Sequence, residues 1–288
     1  MAKKVFERSK QNLKVERNIE TNRGNKMNIH VIEQAEVNVL KSRLQAIRAL
    51  ENNPMGVEII KKEKIHAFCV KNIPGFAFNT VRGINENELA YLDEVFSFYE
   101  RQDLSFQVEI TPVHGTEAVF RKLSEKNFYQ SGFHCSFIGK LEELSNQEIP
   151  SGLFIRRLKK DEFTTFAEIY VKSFGLPEFI KAGVRQNNEV LFDVPGWEFY
   201  LALYKGKPTG ISVLYIEGDV ATLSVAATLP EYRGLGIHSA LIGQRIQSAK
   251  QKGAIYIISE ASFGSASHRN MISAGLTLAY TKSLWTKI

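Results

Sequence analysis

Cysteine is scarce in this chain of 288 residues, which has only Cys69 and Cys135. Two thiols cannot build a disulfide framework or a four-sulfur zinc site, and their rarity predicts a reducing, cytoplasmic setting. No apolar run approaches the roughly 18 residues needed to cross a bilayer, so no membrane span is expected. The opening stretch, MAKKVFERSKQNLKVERN, is charged without an apolar core and does not read as a secretory signal. No spacing of His, Cys, Asp and Glu suggests a metal, and His238 and His268 are read as non-ligands. An excess of one charge is also missing beyond the N-terminus. Residues 1–26 hold eight Lys and Arg against three Glu, which accounts for five of the six net positive charges. The remainder is nearly neutral, so no specific nucleic-acid partner is predicted and 1–27 reads as a basic, flexible tail.

Apolar material is plentiful by contrast, at 44% with 19 Phe, and the length suits two domains. A helical stripe runs through Val39, Leu40, Leu44, Ile47 and Leu50 after a short strand or turn, and Pro54 and Gly56 stop it. Strands are predicted at 65–70 and 76–81 around a Pro74-Gly75 turn. A helix follows at 88–102, a strand at 105–110, a helix at 117–128 and a strand at 135–141. The polar segment 142–152, with Pro150 and Gly152, reads as a linker. Beyond it come a strand at 154–158 and a helix at 161–174 with Asp161 placed to cap it. A second helical stretch precedes strands at 197–204, 209–218 and 220–229. A helix at 237–252, a strand at 254–260, a short helix at 265–273 and a strand at 278–285 complete the chain. Strand, helix, strand, helix, strand therefore ends both halves, which suggests an internal duplication.

One segment carries chemistry: Leu229-Pro230-Glu231-Tyr232-Arg233-Gly234-Leu235-Gly236-Ile237-His238, between a strand and a helix. Gly234 and Gly236 allow the backbone to curl closely around a ligand. The helix behind them offers unpaired N–H groups and the positive end of its dipole, a construction that binds phosphate. Arg233 adds a fixed charge with bidentate reach. A P-loop needs Gly-Lys-Ser/Thr here, and Gly236-Ile237-His238 does not supply it. A dinucleotide loop is the nearer rival, because Gly234-x-Gly236-x-x-Ser239 approaches GxGxxG and Glu260 ends the next strand. Against it, the loop follows an antiparallel hairpin, and four residues separate strand from glycines.

The pattern resembles the GNAT acetyltransferase superfamily, whose pyrophosphate loop Arg/Gln-x-x-Gly-x-Gly/Ala is matched by Arg233, Gly236 and, as a departure from a small residue, His238. The resemblance covers about 153–288 and continues through Ser267-His268-Arg269-Asn270, Gly275-Leu276 and Tyr280. It implies an α/β fold of tandem GNAT-like domains, each a mostly antiparallel mixed sheet flanked by helices. The second domain, 149–288, would bind acetyl-CoA. The first, 28–148, looks like a degenerate copy without the loop, having Arg82-Gly83-Ile84-Asn85-Glu86-Asn87 there, with Glu86 and Glu88 set to repel a pyrophosphate.

The resemblance assigns Arg233, Gly234, Leu235, Gly236, Ile237 and His238 to the pyrophosphate of acetyl-CoA. It assigns Val225, Ala226 and Ala227 to the pantetheine, with Ser267 and Asn270 beside it. An N–H near Val225 or Ala226 would polarise the thioester carbonyl. Where the family commonly places its general acid, a Tyr, this chain has Met271. Tyr280 is the nearest substitute as acid and Glu260 the candidate base, acting through water. The implied reaction is direct acetyl transfer from acetyl-CoA to an amine, without a metal. A CoA-binding module with no catalysis and a transferase of longer acyl or aminoacyl groups are the alternatives.

Overall fold

The apolar stripe at the start of the ordered pattern forms helix α1 (Ile29–Arg48). The residues read as a short strand or turn before the stripe are helical as well. It buries Val37, Leu40, Leu44 and Ile47 against Val57 of β3 (Val57–Lys62) and Phe68 and Val70 of β4 (Ile65–Val70). β3 is absent from the sequence reading because VEIIKK does not alternate and only Val57 is fully buried. The next strand, β5 (Thr80–Arg82), is shorter than 76–81. Asn79 explains this: its Oδ1 accepts from the Val70 amide at 2.7 Å and its Nδ2 donates to the Ile73 and Gly75 carbonyls at 3.0 Å each. A side chain thus replaces strand pairing through the turn. After a 3-10 turn come α2 (Leu92–Glu100), β6 (Gln107–Ile110), α3 (Glu117–Glu125) and β7 (Phe128–Lys140).

The second half begins with β8 (Leu153–Arg157), then α4 (Phe163–Phe174) and α5 (Lys181–Glu189). Asp161 is not the cap. Glu162 accepts instead from the Lys159 amide at 2.8 Å, while Arg156 grips the same carboxylate with two bonds of 2.6 Å. β9 (Trp197–Tyr204), β10 (Lys207–Glu217) and β11 (Val220–Thr228) form an antiparallel meander. α6 (Ile237–Gln251), β12 (Tyr256–Ser262), α7 (Ala266–Ser273) and β13 (Thr277–Lys287) follow. This computed structural model describes residues 19–20, 26–27 and 29–287 apart from 74 and 146. β1 (Ile19–Glu20) and β2 (Lys26–Met27) pair antiparallel. The rest of the predicted tail, and Pro74 of the predicted turn, lie outside the described residues.

Strands β3 to β13 form one mixed sheet of 11 strands in the order β3-β4-β5-β6-β13-β7-β12-β11-β10-β9-β8. The duplication read from the sequence is therefore physically interlocked. Each half contributes one parallel pair, β5–β6 and β11–β12. Each half's last strand crosses to the other half: β13 pairs with β6, and β7 pairs with β12. The two exchanged strands then pair with one another down the middle. Helices α1 and α4 cover one face, with α5 packed against α4; α2, α3, α6 and α7 cover the other. No helix among the described residues is long and apolar enough to cross a membrane.

Candidate active site

The two parallel strands β11 and β12 keep register only from Val220↔Tyr256 to Leu223↔Ser259. Beyond those pairs they part, so Ser224, Val225, Ala226 and Ala227 have no β12 partner. On the other side, the β10–β11 register slips between Ser212 and Leu214, a bulge opposite Ser224 and Val225. Arg245 of α6 secures it from beneath. This fully buried side chain donates from Nη1 to the Val213 and Val225 carbonyls at 3.2 and 3.3 Å and from Nε to Leu241 at 3.1 Å. Burial lowers its pKa to about 9, which leaves it a cation at neutral pH.

The predicted loop closes the same end of the sheet. Tyr232 and Arg233 amides bond back to the Leu229 and Pro230 carbonyls, at 3.0 and 3.2 Å. Gly234 and Gly236 then take left-handed backbones, with φ of 80° and 74°, the region a Cβ disfavours. Gly236 is the N-cap of α6 and offers no side chain to its first amides, so the Ile237, His238 and Ser239 N–H groups have no intrahelical partner. Arg233 does not reach over the loop; its Nη2 donates to the Ser173 carbonyl at 2.7 Å, tying the end of α4 to the loop's rim. The inter-half segment borders it too, since a Cβ on Gly236 would sit 3.0 Å from Pro150 Cγ. Leu235 is exposed, and Ile237 is buried in the core.

His238 and Asn270 meet across the gap between α6 and α7, with Asn270 Nδ2 3.0 Å from His238 Nδ1. The amide donates, which places the imidazole proton on Nε2. Burial, aided by Arg245, lowers the His238 pKa to about 4, so the ring is neutral and a donor. Ser267 is half-buried on the first turn of α7, whose cap is Ser265. Six of the eleven buried side-chain polar atoms without a hydrogen bond among the described residues frame this region: Ser173 Oγ, Ser212 Oγ, Thr228 Oγ1, Arg245 Nη2, Ser259 Oγ and His268 Nδ1. These atoms leave donors and acceptors free of protein partners on the elements around the loop.

Glu260 and Tyr280 belong to a different constellation, on the α1 face. Lys282, fully buried, lies 2.8 Å from Glu36, 2.7 Å from Glu109 and in a short ion pair with Glu260. Arg82 adds contacts of 2.9 Å to Glu109 and 3.9 Å to Glu260. Glu109 and Glu260 are each the first residue beyond the paired part of β5–β6 and β11–β12, so the two halves place matching carboxylates on one lysine. Although burial opposes it, the cations Lys282 and Arg82 hold Glu260 well below the carboxylate range. It is a weak proton acceptor there. The Tyr280 hydroxyl donates to Glu36 at 3.4 Å and is pushed well above its usual value by burial and by that carboxylate. Met271 is buried in the core and carries no proton to give.

In the first half Arg82, next after the paired stretch of β5 and β6, reaches across to Glu109, donating to it at 3.2 and 2.9 Å and to the Glu36 carbonyl at 3.0 Å. Asn85 caps the following turn with its own side chain, 2.9 Å from the Asn87 amide. One gathering escaped the sequence: His30 and Glu33 lie one helical turn apart and meet His114, far along the chain, beside a cavity of about 330 Å³.

Residues 163–271 match the family model described as acetyltransferase (GNAT) family. No curated protein is significantly similar in sequence. A GCN5-related N-acetyltransferase from Kribbella flavida superposes with a TM-score of 0.63 at 12% identity, over 87% of this chain and 94% of that one. A tandem GNAT protein from the clavulanic acid biosynthesis pathway gives 0.60 at 11%, over 88% and 95%. A functionally unknown conserved protein from Staphylococcus epidermidis gives 0.60 at 13%, over 84% and 98%. These likenesses are of fold. Residues 163–271 thus match the acetyltransferase (GNAT) family model, and the whole fold resembles that of a tandem GNAT protein.

Proposed function

We propose that the chain moves an acetyl group from acetyl-CoA directly to an amine. The observation that carries this reading is a strand pair that parts after Leu223 and Ser259 beside a helix start curled by Gly234 and Gly236. Amides of the loop and of Ile237 and His238 face the pyrophosphate, with Arg233 and Leu235 on its rim. The unpaired edge from Val225 to Ala227 takes the pantetheine amides, and a small-residue N–H there polarises the thioester carbonyl. The Nε2 proton of His238, Asn270 and Ser267 supply further polar contact along the α6–α7 gap. The residues present fit such a substrate because donors and acceptors without protein partners surround the parting.

Direct transfer suits the nucleophile inventory. Cys69 and Cys135 are both buried, and burial raises the Cys69 thiol to about 11. Glu260 and Tyr280 are positioning residues of the central charge network in this reading, so the amine arrives neutral, its nitrogen bonds to the thioester carbonyl carbon, the C–S bond breaks to release the CoA thiolate, and the proton shed by the new amide nitrogen passes through solvent to that thiolate. The first unit, 28–148, holds no coenzyme, since Arg82 reaches across to Glu109 just beyond its paired stretch, and 149–288 forms the coenzyme-binding unit.

A second reading, a CoA-binding module without turnover, is favoured by Met271 at the expected acid position. Thiol release from acetyl-CoA, followed over a panel of amines and peptides, separates the two. Turnover that weakens in Arg233→Ala chiefly through KM for acetyl-CoA supports the transferase. Tight CoA binding with no release on any amine supports the module and rejects transfer.

A further inference from the structure

The second half uses its parting of strands for the coenzyme, and the first half places something else at the mouth of its own. We propose that His30, Glu33 and His114 bind one divalent transition-metal ion, zinc in type, at the rim of the cavity beside α1. The three ligating atoms all lie within 4.8 Å of one another. His30 Nδ1 is 3.0 Å from Glu33 Oε2, and His114 Nε2 is 3.5 Å from Glu33 Oε1. A tetrahedral shell with bonds of ~2.0–2.1 Å separates neighbouring ligand atoms by roughly 3.4 Å. The two imidazoles approach opposite oxygens of the Glu33 carboxylate, so rotation of these three side chains draws a set already within 4.8 Å onto one ion.

The ligands are also held in place. His30 and Glu33 are three apart on the first turn of α1, so both project from one face of a helix. His114 sits in a tight turn in which its amide and that of Gly115 both bond to the Thr111 carbonyl, each at 3.0 Å. The Thr111 hydroxyl donates to Glu33, orienting the carboxylate as outer-shell groups do around metals. The two imidazoles are near parallel, 28° apart with centroids at 5.9 Å. Two imidazoles and one carboxylate suit zinc, nickel, cobalt or ferrous iron rather than magnesium or calcium, which prefer all-oxygen shells. His30 keeps 64% of its side-chain exposure, which gives an ion a path in from solvent, while the cavity behind leaves room for a water as fourth ligand.

The test uses tag-free, full-length protein stripped of metal by chelation. Zn²⁺ is titrated in competition with a chromogenic chelator, and thermal unfolding is recorded with Zn²⁺ and with Mg²⁺. The expected result is one equivalent of zinc bound, a melting temperature raised by Zn²⁺ and not by Mg²⁺, and affinity reduced at least ~tenfold in His114→Ala and Glu33→Gln. Both variants should melt like the metal-free wild type. Should His114→Ala fail to fold, the near-isosteric Glu33→Gln decides alone. No saturable zinc binding in the wild type, or unchanged affinity in a folded variant, overturns the proposal.

Discussion

Replacing Lys282 by Met tests the interlocked core. The side chain is buried to 1% exposure and touches Glu36 at 2.8 Å, Glu109 at 2.7 Å and Glu260, all three supplied by different elements. Methionine keeps the volume and removes the central cation, leaving Arg82, with His134 3.7 Å from Glu260, beside the three carboxylates. Removing one partner of a buried ion pair costs ~3–5 kcal/mol. An unfolding entropy of ~2.1 cal/mol/K per residue turns that loss into a fall of roughly 5–8 °C in melting temperature for a chain of this length. The three acids should differ. Burial and the neighbouring Glu260 raise Glu36, so it keeps its proton to higher pH than a free carboxyl, and its folded-state cost grows above pH 4.5. Glu109 is lowered against the pull of burial, by Arg82 and Lys282; its contribution is complete above 4.5 and lost as pH falls through its lowered value. Glu36→Gln should therefore cost less than Glu109→Gln at pH 7, and the gap between wild type and Lys282→Met should narrow in acid. Thermal melts followed by tryptophan fluorescence read the Lys282→Met loss, and urea melts across pH read the differences among the three acids. A Lys282→Met protein melting within ~1 °C of wild type refutes the reasoning.

Four other outcomes follow from the geometry. Gly236→Ala forces a Cβ into a backbone with φ of 74° and to 3.0 Å from Pro150, so it should lose ~1–2 kcal/mol of stability in a denaturant melt. Gly234→Ala meets nothing within 4 Å and should show strain alone, the smaller loss. Residues 28–148 expressed alone lack β13, the strand between β6 and β7, and should not give a cooperative melt, whereas co-expression with 149–288 should restore one. In the intact chain Trp197 and Trp285, in different halves' cores, should report one transition; two separated transitions would contradict the interlock.

Much of this was legible in the sequence, and the parts that were not share a cause. The stretches 197–204 and 237–252 stood out because a continuous apolar run and a helical period are local properties, and they form β9 and α6 almost as read. The loop from Arg233 to His238 was equally local. β3 was missed because only one of its residues is fully buried, and Thr80–Arg82 was drawn too long because Asn79 ties the preceding turn by side-chain bonds. The exchange of β7 and β13 cannot be seen by reading along a chain, since either strand would suit either half. Glu260 and Tyr280 read as catalytic because they stand on strands near the glycine-containing loop. Their partners, Glu36, Arg82 and Lys282, come from distant segments and fix them in an ion network. His30 and His114 meet for the same reason, through tertiary placement rather than spacing.

Calorimetric titration of the purified full-length protein with acetyl-CoA bears most directly on the site at the start of α6. The account predicts saturable heat at one equivalent, protection against thermal unfolding, and a clear loss of affinity in Arg233→Ala with its melting temperature near that of wild type. Absence of both heat and protection in the wild type would contradict it.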